Sequence, residues 1–278
     1  MRGLNNPVLG KELKLRFRSF KSFSALLFYL LTLLIFVVGF FLIVTNFEGS
    51  GFIKPEINVI LFTILTFVQL ALILFITPGL TAGEISGERE KQTLNILLTT
   101  AQTNWQIIFG KLMSSISYIV LLLFAGLPIT SIVFIFGGVS PKEYLLSYTF
   151  MIITMVTLAS VGILFSTLLR KTVISMISTY GVMLFLTVFS AFFAFVAFSY
   201  SEISGTLIEN NKPFVHFWLS MNPIVLMATI IYPSNTDLVK EVTNINWPTW
   251  ASYLIIYTII TIVSLAIATA KIRVKMTK

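Results

Sequence analysis

The chain holds eleven acidic residues among 278, and three of them, Glu84, Glu88 and Glu90, fall within seven positions, interleaved with Arg89 and followed by Lys91. Glu84 and Glu88 are four residues apart, so a helix built there shows both on one face, where like charges cost roughly 0.2–0.5 kcal/mol. That cost is offset if the carboxylates meet cations from elsewhere. The bland alternative is a solvated loop whose acidic residues favour a helix N-terminus.

Catalytic motifs are missing. The sequence has no nucleophile elbow, no HExxH pair and no phosphate-binding loop, since Gly10-Lys11 and Gly110-Lys111 lack the upstream glycine and the following hydroxyl residue. With no cysteine and a single histidine, His216, disulfides and thiolate metal sites are excluded and almost no transition-metal chemistry is left. The expectation is a chain that is not an enzyme by itself, holds no metal and binds no cofactor directly. If it does work, a partner must energise it.

The elements that present these charges follow from composition. Hydrophobic residues make up 56% of the chain and charged ones 11%, with 26 phenylalanines and a mean hydropathy of +0.94, the profile of a polytopic membrane protein. Six apolar stretches reach the ~20 residues that a membrane-crossing helix needs: 24–46, 57–80, 112–136, 144–169, 173–198 and 250–270. A cleavable signal peptide is not expected, because polar and basic residues fill the segment before the first span and that span is longer than an ordinary signal core.

Lys and Arg set the orientation. With both termini cytoplasmic, Arg2, Lys11, Lys14, Arg16, Arg18, Lys21, Arg89, Lys91, Lys111, Arg170, Lys171, Lys271, Arg273, Lys275 and Lys278 face inward, 15 of 19 basic residues, while Lys54, Lys142, Lys212 and Lys240 lie outside with seven acids. The net charge of +8 is therefore mostly membrane topology, and no nucleic-acid partner is expected. The expected fold is an all-α polytopic membrane protein: one transmembrane domain over 1–278, a cytoplasmic interfacial helix over 1–23, a cytoplasmic region over 81–111 and an external loop over 199–249.

Within the N-terminal arm, Lys11, Lys14, Arg18 and Lys21 share one helix face and Leu9, Leu13, Phe17 and Phe20 the other. This is an amphipathic surface helix whose basic side meets either anionic lipid or a cytoplasmic partner. Near the far end, the apolar run 214–232 is divided by Asn222-Pro223, which reads as a helix start with Asn as N-cap and Pro in the first turn. It predicts an external re-entrant or interfacial hairpin with Trp218 at headgroup depth. Inside the spans the polar residues of note are uncharged, Gln69, Ser175, Ser178, Thr179 and Tyr180, which reads as packing and disfavours ion-coupled transport. Phe185, Phe189, Phe192, Phe193 and Phe195 face lipid, pack, or line an apolar path.

Thr81 and Glu84 have capping-box spacing, as do Thr103 and Gln106 at the start of the next helix. Between them the sequence predicts a short cytoplasmic helix from Glu84 to Thr99, with Leu94, Leu97 and Leu98 as its apolar face. The string from Thr81 to Thr100, with Glu88-Arg89-Glu90-Lys91-Gln92-Thr93-Leu94 at its centre and Trp105-Gln106-Ile107-Ile108-Phe109-Gly110-Lys111-Leu112 after it, resembles the cytoplasmic signature of ABC-2 type transporter permeases. The opening Asn6-Pro7-Val8-Leu9-Gly10-Lys11-Glu12-Leu13-Lys14 is similar to one branch of that family, near permeases of multicopper-enzyme maturation or sodium export.

The resemblance implies the transmembrane subunit of a type V-like exporter. Its N-terminal helix would be the connecting helix, and Glu84, Glu88, Arg89, Glu90 and Lys91 would lie on a coupling helix that docks on a separate ATPase subunit, which alone uses ATP. A second permease subunit, identical or paralogous, and a cell-membrane location are implied as well. Gln92 departs from the glycine common at its place in the family and stiffens the local turn. A membrane anchor or sensor that binds an ATPase without moving a substrate is the alternative, and no substrate can be read from these residues.

Overall fold

An apolar chain in a bilayer can satisfy its backbone only from within, which leaves helices as the economical solution for these stretches. The computed structural model describes residues 10, 12–14, 17–48, 55–94, 103–135, 137–203 and 212–272, with the backbone alone at 21, 45–48 and 201–203. The described helices are α1 (Phe20–Glu48), α2 (Pro55–Thr81), α3 (Ser86–Glu90), α4 (Asn104–Thr130, extended by a 3₁₀ turn to Phe134), α5 (Pro141–Leu168), α6 (Thr172–Leu184), α7 (Ser190–Ile203), α8 (Pro213–Met221), α9 (Pro223–Ile231), α10 (Pro233–Thr243) and α11 (Thr249–Lys271). Among the described residues, six helical stretches are long and apolar enough to cross a membrane: α1, α2, α4, α5, α6 with α7, and α11. The chain is an all-α, multi-pass membrane protein.

α5 is the centre of the bundle and α1 its edge, since 67% of the most apolar window of α5 is buried against 17% for α1. Small and hydroxyl residues bring the helices close. At Gly162 of α5 an added Cβ would overlap Thr81 Oγ1 and lie 2.9 Å from Thr81 Cβ, so α2 and α5 meet at a distance that only glycine permits. Gln69 Nε2 donates to Tyr29 Oη at 3.1 Å and Tyr148 Oη at 2.9 Å, and Thr130 Oγ1 pairs with Tyr144 and Tyr148 Oη, which joins α1, α2, α4 and α5 at one polar knot. Ser178 and Thr179 return their hydroxyls to carbonyls one turn back, and Tyr180 Oη donates to Phe75 O. These side chains act as packing groups, as their uncharged types suggested.

Span five is not a plain α-helix. Residues Phe185–Phe189 form a π turn between α6 and α7. The wide turn sets carbonyl groups outside the ordinary ladder, and Thr187 O takes a hydrogen bond from Asn222 Nδ2 at 2.6 Å, with Ser190 Oγ taking a second at 3.0 Å. The same Asn222 caps α9 through Oδ1, which accepts from the backbone N–H of Ile224 and Val225. Asn222 is therefore both the predicted helix start and a buried tie to span five.

α8 and α9 meet at 88°, a bent pair of half-length helices between spans five and six. Lys212 N donates to Thr243 O at 2.8 Å and closes the base of this excursion. Trp218 is half-buried, stacked on Phe193 with centroids 4.8 Å apart and edge-on to Phe185. The aromatic surface of span five pulls the indole into the helix packing. Phe185, Phe189, Phe192, Phe193 and Phe195 are otherwise outward-facing.

Asn222→Ala removes a helix cap and a two-pronged buried tie, and should cost about 1–3 kcal/mol. Asn222→Asp keeps the capping oxygen but cannot donate to Thr187 O, so it should not rescue. Thermal unfolding of the purified chain in nanodiscs checks both, with lowered Tm expected for each variant.

Candidate functional site

The charged segment between α2 and α4 is shorter and more tightly folded than its sequence suggested. Thr81 is not an N-cap: it is the last residue of α2, and its hydroxyl donates to Thr77 O at 2.8 Å, because α2 runs through the position where a new helix was expected to begin. Residues 82–85 turn, α3 covers only Ser86–Glu90, and the backbone at Gln92 takes φ 59°. A left-handed residue cannot lie inside an α-helix, so a continuous helix from Glu84 to Thr99 is excluded at Gln92. Of its expected apolar face Leu94 is buried, and Leu97 and Leu98 lie outside the described residues. Thr93 N closes the turn on Glu88 O at 2.9 Å. The Thr103 and Gln106 capping box forms as expected and starts α4 at Asn104, so Lys111 stands two turns into a helix that begins well before the predicted span.

Lys111 is the cation that the carboxylates meet. Its Nζ lies 2.8 Å from Glu88 Oε1, 3.2 Å from Glu12 Oε1 and 3.7 Å from Glu84 Oε2, and its side chain is 2% accessible. Ser115, one turn on, donates to Glu84 Oε1 at 3.2 Å. One positive charge thus faces three negative ones. A buried ammonium is costly unless it is paired and hydrogen-bonded, and here the pairing crosses three separate pieces of chain: the N-terminal arm, the 82–90 segment and α4. Glu84 and Glu88 share a face, as their spacing required, and that face points into the protein.

The other side of the segment engages two helix ends. α5 stops at Leu168 and α6 starts at Thr172. The ends of a helix leave carbonyls and N–H groups unsatisfied, with partial negative charge at the C-terminus and partial positive charge at the N-terminus. Arg89 supplies the first need, donating from Nη1 to Leu169 O at 2.8 Å and from Nη2 to Thr167 O at 3.1 Å. Glu90 supplies the second, accepting from Thr172 N at 2.8 Å and from the Thr172 hydroxyl. Lys171, the N-cap residue of α6, offers no side-chain cap of its own. Deeper in, Ser166 Oγ accepts from the backbone N–H of both Ile85 and Ser86, at 2.8 and 2.9 Å, and all three residues are buried.

Of the residues singled out in the sequence, Glu84, Glu88, Arg89 and Glu90 come together around α3, and Lys91 is exposed beside them. Lys14 and Arg18 are exposed on the arm, while the side chains of Lys11 and Lys21 lie outside the described residues. The arm and α1 are separate: the helix is interrupted at Arg18 and Ser19, and Ser19 O receives Ser22 N and Phe23 N at the start of α1. Asn222 and Pro223 sit in the bent pair, away from this cluster in the chain's fold. Sequence reasoning missed Lys111, Glu12, Ser166 and Thr172. The signal for Lys111 was a basic residue at the edge of an apolar run; Ser166 had none, because other hydroxyl residues of α5, Ser147, Thr149, Ser160 and Thr167, bond carbonyls of their own helix.

A family model described as ABC-2 family transporter protein matches residues 28–273. Comparison with curated proteins gives no match.

Lys111→Gln leaves three carboxylates without their buried cation and should destabilise the chain by about 3–5 kcal/mol. Neutralising one of them as well, in Lys111→Gln with Glu88→Gln, should return part of the loss. Denaturation of the four members of this double-mutant cycle in detergent measures the coupling.

Proposed function

We propose a coupling role for the 81–94 segment on one premise: the chain belongs to the ABC-2 family of transporter proteins and is an ABC transporter permease. Membership implies an ABC ATPase and a lipid bilayer as partners. In this reading the ATPase is a separate subunit that grips the exposed rim of α3 at Lys91, together with the basic side of the N-terminal arm. ATP is bound and hydrolysed there, and the permease contributes no catalytic residue. Two permease subunits would pair with two ATPases in the plasma or inner membrane, moving substrate outward in keeping with the exporter-like motifs.

The observation that best supports coupling is the way α3 is held. A surface that must transmit force has to be stiff, and this one is tied inward to α4 and the arm through Lys111 and sideways to α5 and α6 through Arg89, Glu90 and Ser166. A ligand shifts a two-state equilibrium only by its differential affinity for the two states. An ATPase dimer that changes shape with nucleotide supplies that difference, and rigid helices tilting about their contacts carry it across the membrane.

Lys91→Glu alters an exposed charge and none of the internal ties, so the chain should fold normally and capture several-fold less co-expressed ATPase, the effect of about 1 kcal/mol. Pull-down from membranes at low and high salt reads it; undiminished capture in both would remove Lys91 from the interface. For orientation, single cysteines at positions 95 and 205 of this cysteine-free chain should react differently with an impermeant thiol reagent in intact cells. Position 205 is expected to label and position 95 to be protected; the reverse pattern ends the model.

A further inference from the structure

The internal ties of α3 are unequal in kind. Toward α4 and the arm they run through flexible side chains, ammonium to carboxylate. Toward the corner between α5 and α6 they run largely through main chain: Ser166 Oγ accepts from Ile85 N and Ser86 N, Arg89 donates to Leu169 O and Thr167 O, and Glu90 accepts from Thr172 N. Backbone atoms move only when their segment moves. Four residues of 85–90, Ile85, Ser86, Arg89 and Glu90, are thereby locked to the end of span four and the start of span five, and the close approach of Gly162 to Thr81 extends the lock one turn deeper.

We propose that Ser166 is a positioning residue, assisted by Thr172, that makes the α5–α6 corner move as one body with α3, so that displacement of α3 enters the bundle at the junction of spans four and five. The proposal rests on the coupling role of α3. Ser166 suits the task because its oxygen, buried in α5, receives the two N–H groups at the start of α3 that a helix leaves free. From the corner the movement has two routes. α5 is packed along α2 and α11, and α6 leads to the π turn and the Asn222 tie, so the bent α8–α9 pair at the far end is reached through a continuous series of hydrogen-bonded contacts.

Three exposed positions allow the test in the assembled complex with its ATPase in nanodiscs: spin labels on Thr93→Cys in the α3 turn, Lys171→Cys at the corner and Lys271→Cys at the end of α11. With Ser166 and Thr172 intact, trapping with ATP and vanadate should change the distances 93–271 and 171–271 together and leave 93–171 unaltered. In Ser166→Ala with Thr172→Val, 93–271 should still respond while the change at 171–271 is lost and 93–171 varies. Thr172→Val alone keeps both N–H contacts of Ser166 and should show a smaller loss, which keeps the test decisive if the double variant does not assemble; Ser166→Thr retains an acceptor oxygen and should restore the response. A change in 93–171 in the unmodified pair, or a full 171–271 response in both variants, overturns the proposal. A complex in which 93–271 itself ignores nucleotide overturns the coupling role from which the proposal starts, and so tells the two failures apart.

Discussion

Holding one ammonium group out of water is the constraint around which this end of the molecule is organised. Lys111 has almost no solvent contact, so its charge is tolerable only while Glu12, Glu84 and Glu88 surround it. That requirement fixes where the arm crosses α4 and which face of the 82–90 segment turns inward, and hence which face is left for a partner. The carboxylates repel one another in isolation. Around the lysine the repulsion becomes a reason for the three segments to stay together, since any one that leaves exposes part of an uncompensated charge.

With the inward face committed, the two residues that follow have nothing left to neutralise and serve backbone instead. Arg89 and Glu90 are adjacent in sequence and opposite in charge, and the gap between α5 and α6 offers them adjacent helix ends of opposite polarity. The match needs both charges in this order: exchanging them would set a cation against free N–H groups and an anion against free carbonyls. Gln92 then turns the chain away in a left-handed conformation that costs a non-glycine residue about 1–2 kcal/mol. The resemblance placed a glycine here, and the left-handed backbone at Gln92 is the conformation that glycine adopts without strain.

Much of the fold was legible because bilayer thickness and backbone satisfaction leave few choices: six apolar stretches were expected to cross, six described helical stretches are long and apolar enough to do so, and Asn222-Pro223 starts a helix as its chemistry indicated. The site was legible only in part. Spacing put Glu84 and Glu88 on one face but could not say what faced them, because Glu12 and Lys111 are distant in the chain from each other. Thr81 misled, since a threonine three before a glutamate reads equally well as a cap or as the back-bonded end of the preceding helix, and α2's packing on Gly162 chose the second. The length of the charged helix was overestimated because periodicity cannot see one residue turning left-handed. Ser166 was silent, being one hydroxyl among many in its span.

The π turn of span five and the side chain of Asn222 form a lock and key spread over two segments. A π turn is one residue more than an α-helix needs, and each added residue rotates everything beyond it by about 100°. Deleting one residue from 185–189 would therefore do two things at once: swing Phe192 and Phe193 away from Trp218, and withdraw the carbonyl that Asn222 serves. Replacing Asn222 alone would leave the extra residue without its donor. Insertion and asparagine make sense only jointly, so neither alone offers an easy step toward a straight span five; the two would have to be gained, or lost, as a pair.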